Sequence, residues 1–247
     1  MPTIKLIIEY DGTRYAGWQL QDNACTIQGV METVLARIYK KPVRLTASGR
    51  TDSGVHALHQ AAHYIVDDVT VPIERLPAAL NYHLPIDIRV TDAAIVPDSF
   101  HARFSARQRK YVYVMRNARY NSAFYRNFTW FYPTREPLDI KRLNAYAEYV
   151  VGTHNFRAFC AITDMNRSKI RTVTRSSFTR RGEFVYFFIS ADAFLHNMVR
   201  ITLGTILDLY RRNASPDAML ELIISENRKN AGTTAPAHGL FLKDVIY

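Results

Sequence analysis

Two cysteines, Cys25 and Cys160, are all the sequence has, and neither belongs to a Cys-x-x-Cys pair. A disulfide framework and a cysteine-built zinc site are therefore not what organises this chain. No run of 18 or more apolar residues occurs, so no membrane-spanning helix is predicted. The N-terminal Met-Pro-Thr-Ile-Lys-Leu enters a strand pattern at once and does not resemble a signal peptide, which gives a cytoplasmic reading. Short-period repeats and low-complexity tracts are missing too. So is negative charge over one long tract: from Ser99 to Arg135 there is no Asp or Glu, while eight Lys or Arg are interleaved with aromatics.

What is present describes a folded, basic protein. At 247 residues the chain can bury a substantial core, as one large domain or two closely packed halves. Hydrophobic residues make up 48% and charged residues 22%, which is a globular balance and not a disordered one. The formal net charge of +10 predicts a polyanionic partner, either nucleic acid or an anionic membrane.

Periodicity divides the chain into elements. Thr3 to Tyr10 is an Ile- and Leu-rich strand that ends at Asp11-Gly12-Thr13. Thr26 is placed to cap a helix on which Ile27, Val30, Met31, Val34, Leu35 and Ile38 recur at helical spacing, and Pro42 ends it. Val43 to Ala47 alternates as a strand, Gln60 to Val66 and Ile86 to Val96 are further strands, and Ile73 to Tyr82 is a short helix flanked by prolines. Inside the acid-free tract, Arg109 to Arg116 alternates and puts Tyr111, Tyr113 and Met115 on one face. Asp139 caps a helix from Ile140 to Val151, with Gly152 as its stop. Strands Thr172 to Arg180 and Phe184 to Ala191 flank the hairpin turn Arg181-Gly182. A helix follows from Phe194 to about Asn213, then one from the Ser215-Pro216 cap to about Asn227, and Gly239 to Val245 is a closing strand. Hairpins outnumber βαβ crossovers. The expectation is a largely antiparallel α+β sheet from two similar strand-helix-strand halves, residues 1–98 and 99–247, that form one catalytic unit.

The chemistry concentrates in Ala47 to Gln60, where Gly49 and Gly54 bracket Arg50, Thr51 and Asp52. Glycine punctuation of this kind makes a tight loop that presents its middle residues. An arginine near an aspartate holds the carboxylate in one orientation, although an Asp in such a place can equally close an Asx-turn. Arg200 lies beside the apolar stripe of its helix; it either pairs with a carboxylate or snorkels to solvent. Tyr111 is either a half-buried strand aromatic or a platform for an unpaired base, and its basic surroundings favour the base. Arg103, Arg107, Arg109, Arg116 and Arg119 are suited to phosphate contacts. Two signatures fail. Asp11-Gly12-Thr13 is similar to the phosphoaspartyl phosphatase motif, but Glu9 stands where its nucleophilic Asp belongs. His56, His59 and His63 fall on an extended segment, where four residues span more than about ten Å, so they make no metal cluster.

Several blocks, taken together, carry a family resemblance: Tyr10-Asp11-Gly12-Thr13 with Gly17-Trp18-Gln19, then Gly49-Arg50-Thr51-Asp52-Ser53-Gly54-Val55-His56-Ala57, then Phe104-Ser105-Ala106 through Arg109-Lys110-Tyr111-Val112-Tyr113. Gly152-Thr153-His154-Asn155-Phe156, Phe194-Leu195 to Met198-Val199-Arg200, and Ala235-Pro236-Ala237-His238-Gly239-Leu240-Phe241-Leu242 follow in order. The chain resembles the tRNA pseudouridine synthase A family over nearly its whole length. The resemblance implies that Asp52 is the nucleophile, that Tyr111 stacks on the target base and that Arg200 pairs with Asp52. It gives Arg50 the nucleotide to flip or hold and Leu240 a place in the apolar base pocket. It further implies no metal, no cofactor, a homodimer, tRNA as partner with no membrane, and isomerisation of uridines 38, 39 and 40 in the anticodon arm. Ser53 departs from the usual Ala and adds a hydroxyl near the carboxylate. The competing readings are a non-catalytic RNA-binding protein and, weakened by Glu9, an aspartate-dependent phosphotransferase.

Overall fold

The computed structural model describes residues 1–164 and 166–247. In chain order the elements are β1 (Thr3–Tyr10), α1 (Ile27–Tyr39), β2 (Thr46–Ala47), β3 (His56–Ile65), α2 (Leu76–His83), β4 (Ile88–Val96), β5 (Gln108–Arg116) and β6 (Trp130–Phe131). They continue with α3 (Ile140–Glu148), β7 (Gly152–Asn155), β8 (Ile170–Arg181), β9 (Phe184–Ala191), α4 (Met198–Arg211), α5 (Ala218–Ser225) and β10 (Leu240–Ile246). Two compact units divide them, residues 1–107 with 241–247, and residues 108–240. The fold is α+β and mostly antiparallel, as expected.

In the first unit β1 is flanked on either side by antiparallel β3 and β4. β10 joins the other edge of β3 in parallel, with Phe241 opposite His56 and Leu242 opposite Ala57. Ile4, Leu6, Ile8 and Tyr10, every second residue of β1, are buried together with Ile27, Met31 and Leu35 of α1. Each fully buried side chain of this size contributes roughly 1.5–3 kcal/mol. Helix α1 begins where the sequence places it, because the Thr26 side chain accepts from the Gly29 amide. The strand expected over Val43 to Ala47 shrinks to Thr46–Ala47. Side chains of α1 take the backbone groups that a longer strand would use: Leu45 donates its amide to Glu32 Oε1 at 2.9 Å and its carbonyl accepts from Gln28 Nε2 at 3.1 Å.

In the second unit β5, β9, β8 and β7 form an antiparallel sheet with β6 added in parallel to β5. Gly182, at φ +59, makes the hairpin turn between β8 and β9. Phe178 and Phe187 stack across that hairpin with ring centroids 4.6 Å apart. Asp139 caps α3 as expected, its carboxylate accepting from the Arg142 amide. Two helices start later than their sequence signals. α4 begins at Met198 and not at Phe194, because Asn197 takes a left-handed conformation at φ 63. α5 begins at Ala218, since Ser215 to Asp217 form a turn closed by the Ala218 amide donating to the Ser215 carbonyl at 3.1 Å.

Candidate active site

In the first unit the loop from Ser48 to Val55 is fixed by what the N-terminal segment offers it. Trp18 donates its amide to the Thr51 carbonyl at 3.1 Å, and the hydroxyls of Tyr10 and Thr51 share a hydrogen bond of 2.7 Å. On the other side of Asp52, the Ser53 hydroxyl and the Gly54 amide both donate to the Tyr15 carbonyl, at 3.2 and 3.3 Å. The loop closes on itself where the Val55 amide donates to the Asp52 carbonyl at 3.1 Å. At its start, Gln60 donates to the Gly49 carbonyl at 2.9 Å and accepts from the Ser48 hydroxyl at 2.7 Å. Asp52 is thus the centre of a segment whose backbone is tied down immediately before and after it, and its side chain is partly exposed. Arg50, two residues earlier, is exposed.

This arrangement corrects one expectation and adds a partner to another. Only one of the bracketing glycines is required by backbone shape. Gly54 sits at φ +76, whereas a Cβ on Gly49 would meet no described atom within 4 Å. The Ser53 hydroxyl is directed to the Tyr15 carbonyl, so it helps to close the loop. Tyr10, Trp18 and Gln60 were not singled out for a role from the sequence. The signal was their place in or next to the ordered motif blocks, but the pairing that gives them a role spans up to 41 residues of sequence. Burial pushes the Tyr10 hydroxyl up from its ordinary range, with Thr51 and Gln60 offsetting part of that, so it stays a protonated partner.

In the second unit Tyr111 lies on β5 opposite Ile189 of β9, buried, with its ring edge-on to Phe194 at a centroid distance of 5.0 Å. Arg200 is the third residue of α4, half-buried. Its Nε donates to the Ala235 carbonyl at 2.7 Å and its Nη1 to Asn197 Oδ1 at 2.8 Å. Arg200 also accepts the Ala235 amide on its own carbonyl at 3.1 Å. The chain then runs to Pro236, whose carbonyl accepts from the buried Tyr113 hydroxyl at 2.7 Å. Gly239 follows, so close beneath Tyr113 that a Cβ would come within 2.5 Å of the ring. Leu240, buried, is the next residue. One backbone path therefore positions Leu240 from the start of α4 and from β5. Tyr113 was seen only as a face-mate of Tyr111, and its tie to Pro236 had no local signal.

Among the described residues no group of three His, Cys, Asp or Glu could hold a metal ion. Cys25 is exposed and Cys160 buried, both as free thiols. No helix among the described residues is long and apolar enough to cross a membrane.

A family described as tRNA pseudouridine synthase matches residues 6–105 and 146–247. The tRNA pseudouridine synthase A of Brachyspira hyodysenteriae is 41% identical over 247 residues, covering 100% of this chain and 99% of that protein. The tRNA pseudouridine synthase A of Halalkalibacterium halodurans is 42% identical over 241 residues, 97% of this chain and 90% of that protein. That of Thermoanaerobacter sp. is 40% identical over the full length of both. The match takes in both the tied-down loop around Asp52 and the path from Arg200 to Leu240, and the chain belongs to the tRNA pseudouridine synthase A family, isomerases that act on tRNA.

Proposed function

We propose that this enzyme isomerises uridine to pseudouridine at positions 38, 39 and 40 of the tRNA anticodon stem and loop, with Asp52 as its nucleophile. The observation that carries the reading is the loop itself. A reactive carboxylate gains from being held in place before the substrate arrives, and here the residues on both sides of Asp52 are tied to a separate stretch of backbone.

The reaction breaks the bond from uracil N1 to the ribose C1′, turns the base, and joins C5 to the same carbon, while C5 loses its proton and N1 gains one. Nothing is oxidised or hydrolysed, so a nucleophilic carboxylate, a stacking surface and help with proton movement suffice. A base inside a stem must first be extruded at a cost of a few kcal/mol. Stacking on an aromatic returns about 1–3 kcal/mol, which is the role assigned to Tyr111. Arg50, exposed in the loop, is assigned to the flipped nucleotide, Arg200 to the Asp52 carboxylate, and Leu240 to the apolar wall of the base pocket. The two halves act as one catalytic unit, the assembly is a homodimer and the location is cytoplasmic, in keeping with the family.

The test is Asp52→Ala, with tritium release from tRNA carrying 5-tritiated uridine measured beside tRNA affinity. Release is expected to vanish while affinity is retained; unchanged release removes Asp52 from the chemistry. Transcripts with cytidine at 38, 39 or 40 test the positions, since release must fall with each uridine removed.

A further inference from the structure

The strand that carries Tyr111 runs directly into a segment whose chemistry the loop around Asp52 does not account for. Between β5 and β6 the chain exposes Phe124 at 87% and Tyr120 at 69%. Single exposed aromatics are common on a folded surface, but two of them four residues apart on one loop make a candidate interaction patch. The segment is also built and not merely extended. Arg116, paired with Glu183 at 2.7 Å, donates to the Tyr120 carbonyl. Tyr125 sets its ring edge-on against Phe184 at 5.1 Å. The Ser122 hydroxyl accepts from the Phe124 amide at 3.2 Å, and Thr129 donates to the Tyr125 carbonyl at 2.9 Å. The base of the loop is anchored, and Tyr120 and Phe124 are its two most exposed rings.

Charge selects the occupant. Arg119 stacks its guanidinium 5.3 Å from the Tyr120 ring, and the tract from Ser99 to Arg135 contributes no carboxylate of its own, the Glu183 carboxylate beside it being paired with Arg116. Aromatic faces between arginines suit unpaired nucleotides, which stack on the rings while their phosphates meet the guanidinium groups. Arg116 is five residues beyond Tyr111 on the same strand, about 17 Å at strand rise, which is a distance that roughly five stacked nucleotides cover. The segment also lies within residues 106–145, outside both stretches of the family match.

We infer that Tyr120 and Phe124 form a second stacking platform for unpaired bases of the tRNA substrate, separate from the base held for reaction. The inference rests on the family reading only for the identity of the RNA. The test uses the full chain with full-length tRNA, measuring affinity by fluorescence anisotropy and KM and kcat by tritium release. Phe124→Ala and Tyr120→Ala should each raise Kd and KM about tenfold with kcat unchanged, and Phe124→Trp should restore both. Unchanged Kd and KM overturn the inference. So does a change in oligomeric state by light scattering with tRNA affinity intact, which would give the patch to a second copy of this chain. If the wild-type protein binds tRNA but releases no tritium, the proposed function fails, while the anisotropy comparison still decides this platform.

Discussion

The amide of Trp18 donates to the carbonyl of Thr51, and the residue after Thr51 is Asp52. A turn near the N-terminus thereby sets the backbone of the proposed nucleophile. Because Trp18 is itself buried and its ring centroid lies 6.0 Å from that of Tyr10, the support is part of the core and not a surface contact.

Gly17 tests that support. It sits at φ +90, and a Cβ would meet the Thr51 carbonyl oxygen at 2.5 Å. Gly17→Ala should cost about 1–3 kcal/mol of stability through backbone strain. The displaced loop should lower kcat/KM by about a hundredfold, as misplacement near 1 Å does. Kinetics at a temperature where circular dichroism shows the variant fully folded separate the two effects; unaltered kcat/KM would show that the loop does not depend on this turn.

The buried pair Tyr10 and Thr51 should behave as a coupled unit. Tyr10→Phe leaves the buried Thr51 hydroxyl without this partner, at about 1–3 kcal/mol, and Thr51→Val costs less, since Gln60 still faces the Tyr10 hydroxyl. The double variant should lose less than the sum, with a coupling energy of about 1 kcal/mol in urea unfolding. Strict additivity would mean the hydrogen bond contributes nothing.

His63 makes stability depend on pH in a definite direction. Burial lowers its pKa, the neighbouring His101 lowers it further, and a backbone hydrogen bond at Thr46 offsets part of the shift. Its Nδ1 accepts from the Ala102 amide at 3.1 Å, which requires the neutral ring. The unfolded chain then binds the extra proton, so this contribution is complete above the ordinary histidine value, near 6.5, and is lost as pH falls through it. Wild-type stability should decline below about pH 6.5 more steeply than that of His63→Gln. Parallel pH profiles of the two proteins would refute the assignment.

Tyr113→Phe removes the donor to the Pro236 carbonyl on the path from Arg200 to Leu240. Burial pushes the Tyr113 hydroxyl up, with Arg200 lowering it in part, so the group donates across the working pH range. The variant should lose roughly 1 kcal/mol of stability and show a raised KM for tRNA through Leu240. A drop in stability with KM untouched would confine Tyr113 to the core.

Much of the fold was legible because its signals are local. β1 begins and ends where the Ile- and Leu-rich run and Asp11-Gly12 put it, and α1 and α3 start after Thr26 and Asp139, whose side chains accept the amides that any helix start leaves open. The start of α4 was not legible. The expected helix takes Phe194 as its first residue, yet its ring goes to Tyr111, a residue 83 positions away, and Asn197 turns the chain first. The missing strand at Val43 to Leu45 fails for the same reason, since its hydrogen bonds are taken by Gln28 and Glu32 of a helix already behind it.

By itself, the sequence determined the strand and helix periodicities, the basic acid-free tract with its implied polyanion, and the glycine-marked loop that presents Arg50 and Asp52. These depend on neighbours within a turn or a few strand positions. Only the tertiary structure decided that Trp18, Tyr10 and Tyr15 are what hold that loop, that Gly54 and not Gly49 is needed for its shape, and that Tyr113 and Arg200 fix the approach to Leu240. Apart from the positive φ of Gly54, each of those is a hydrogen bond or close backbone approach between residues tens of positions apart, and no periodicity encodes which distant amide a carbonyl will meet.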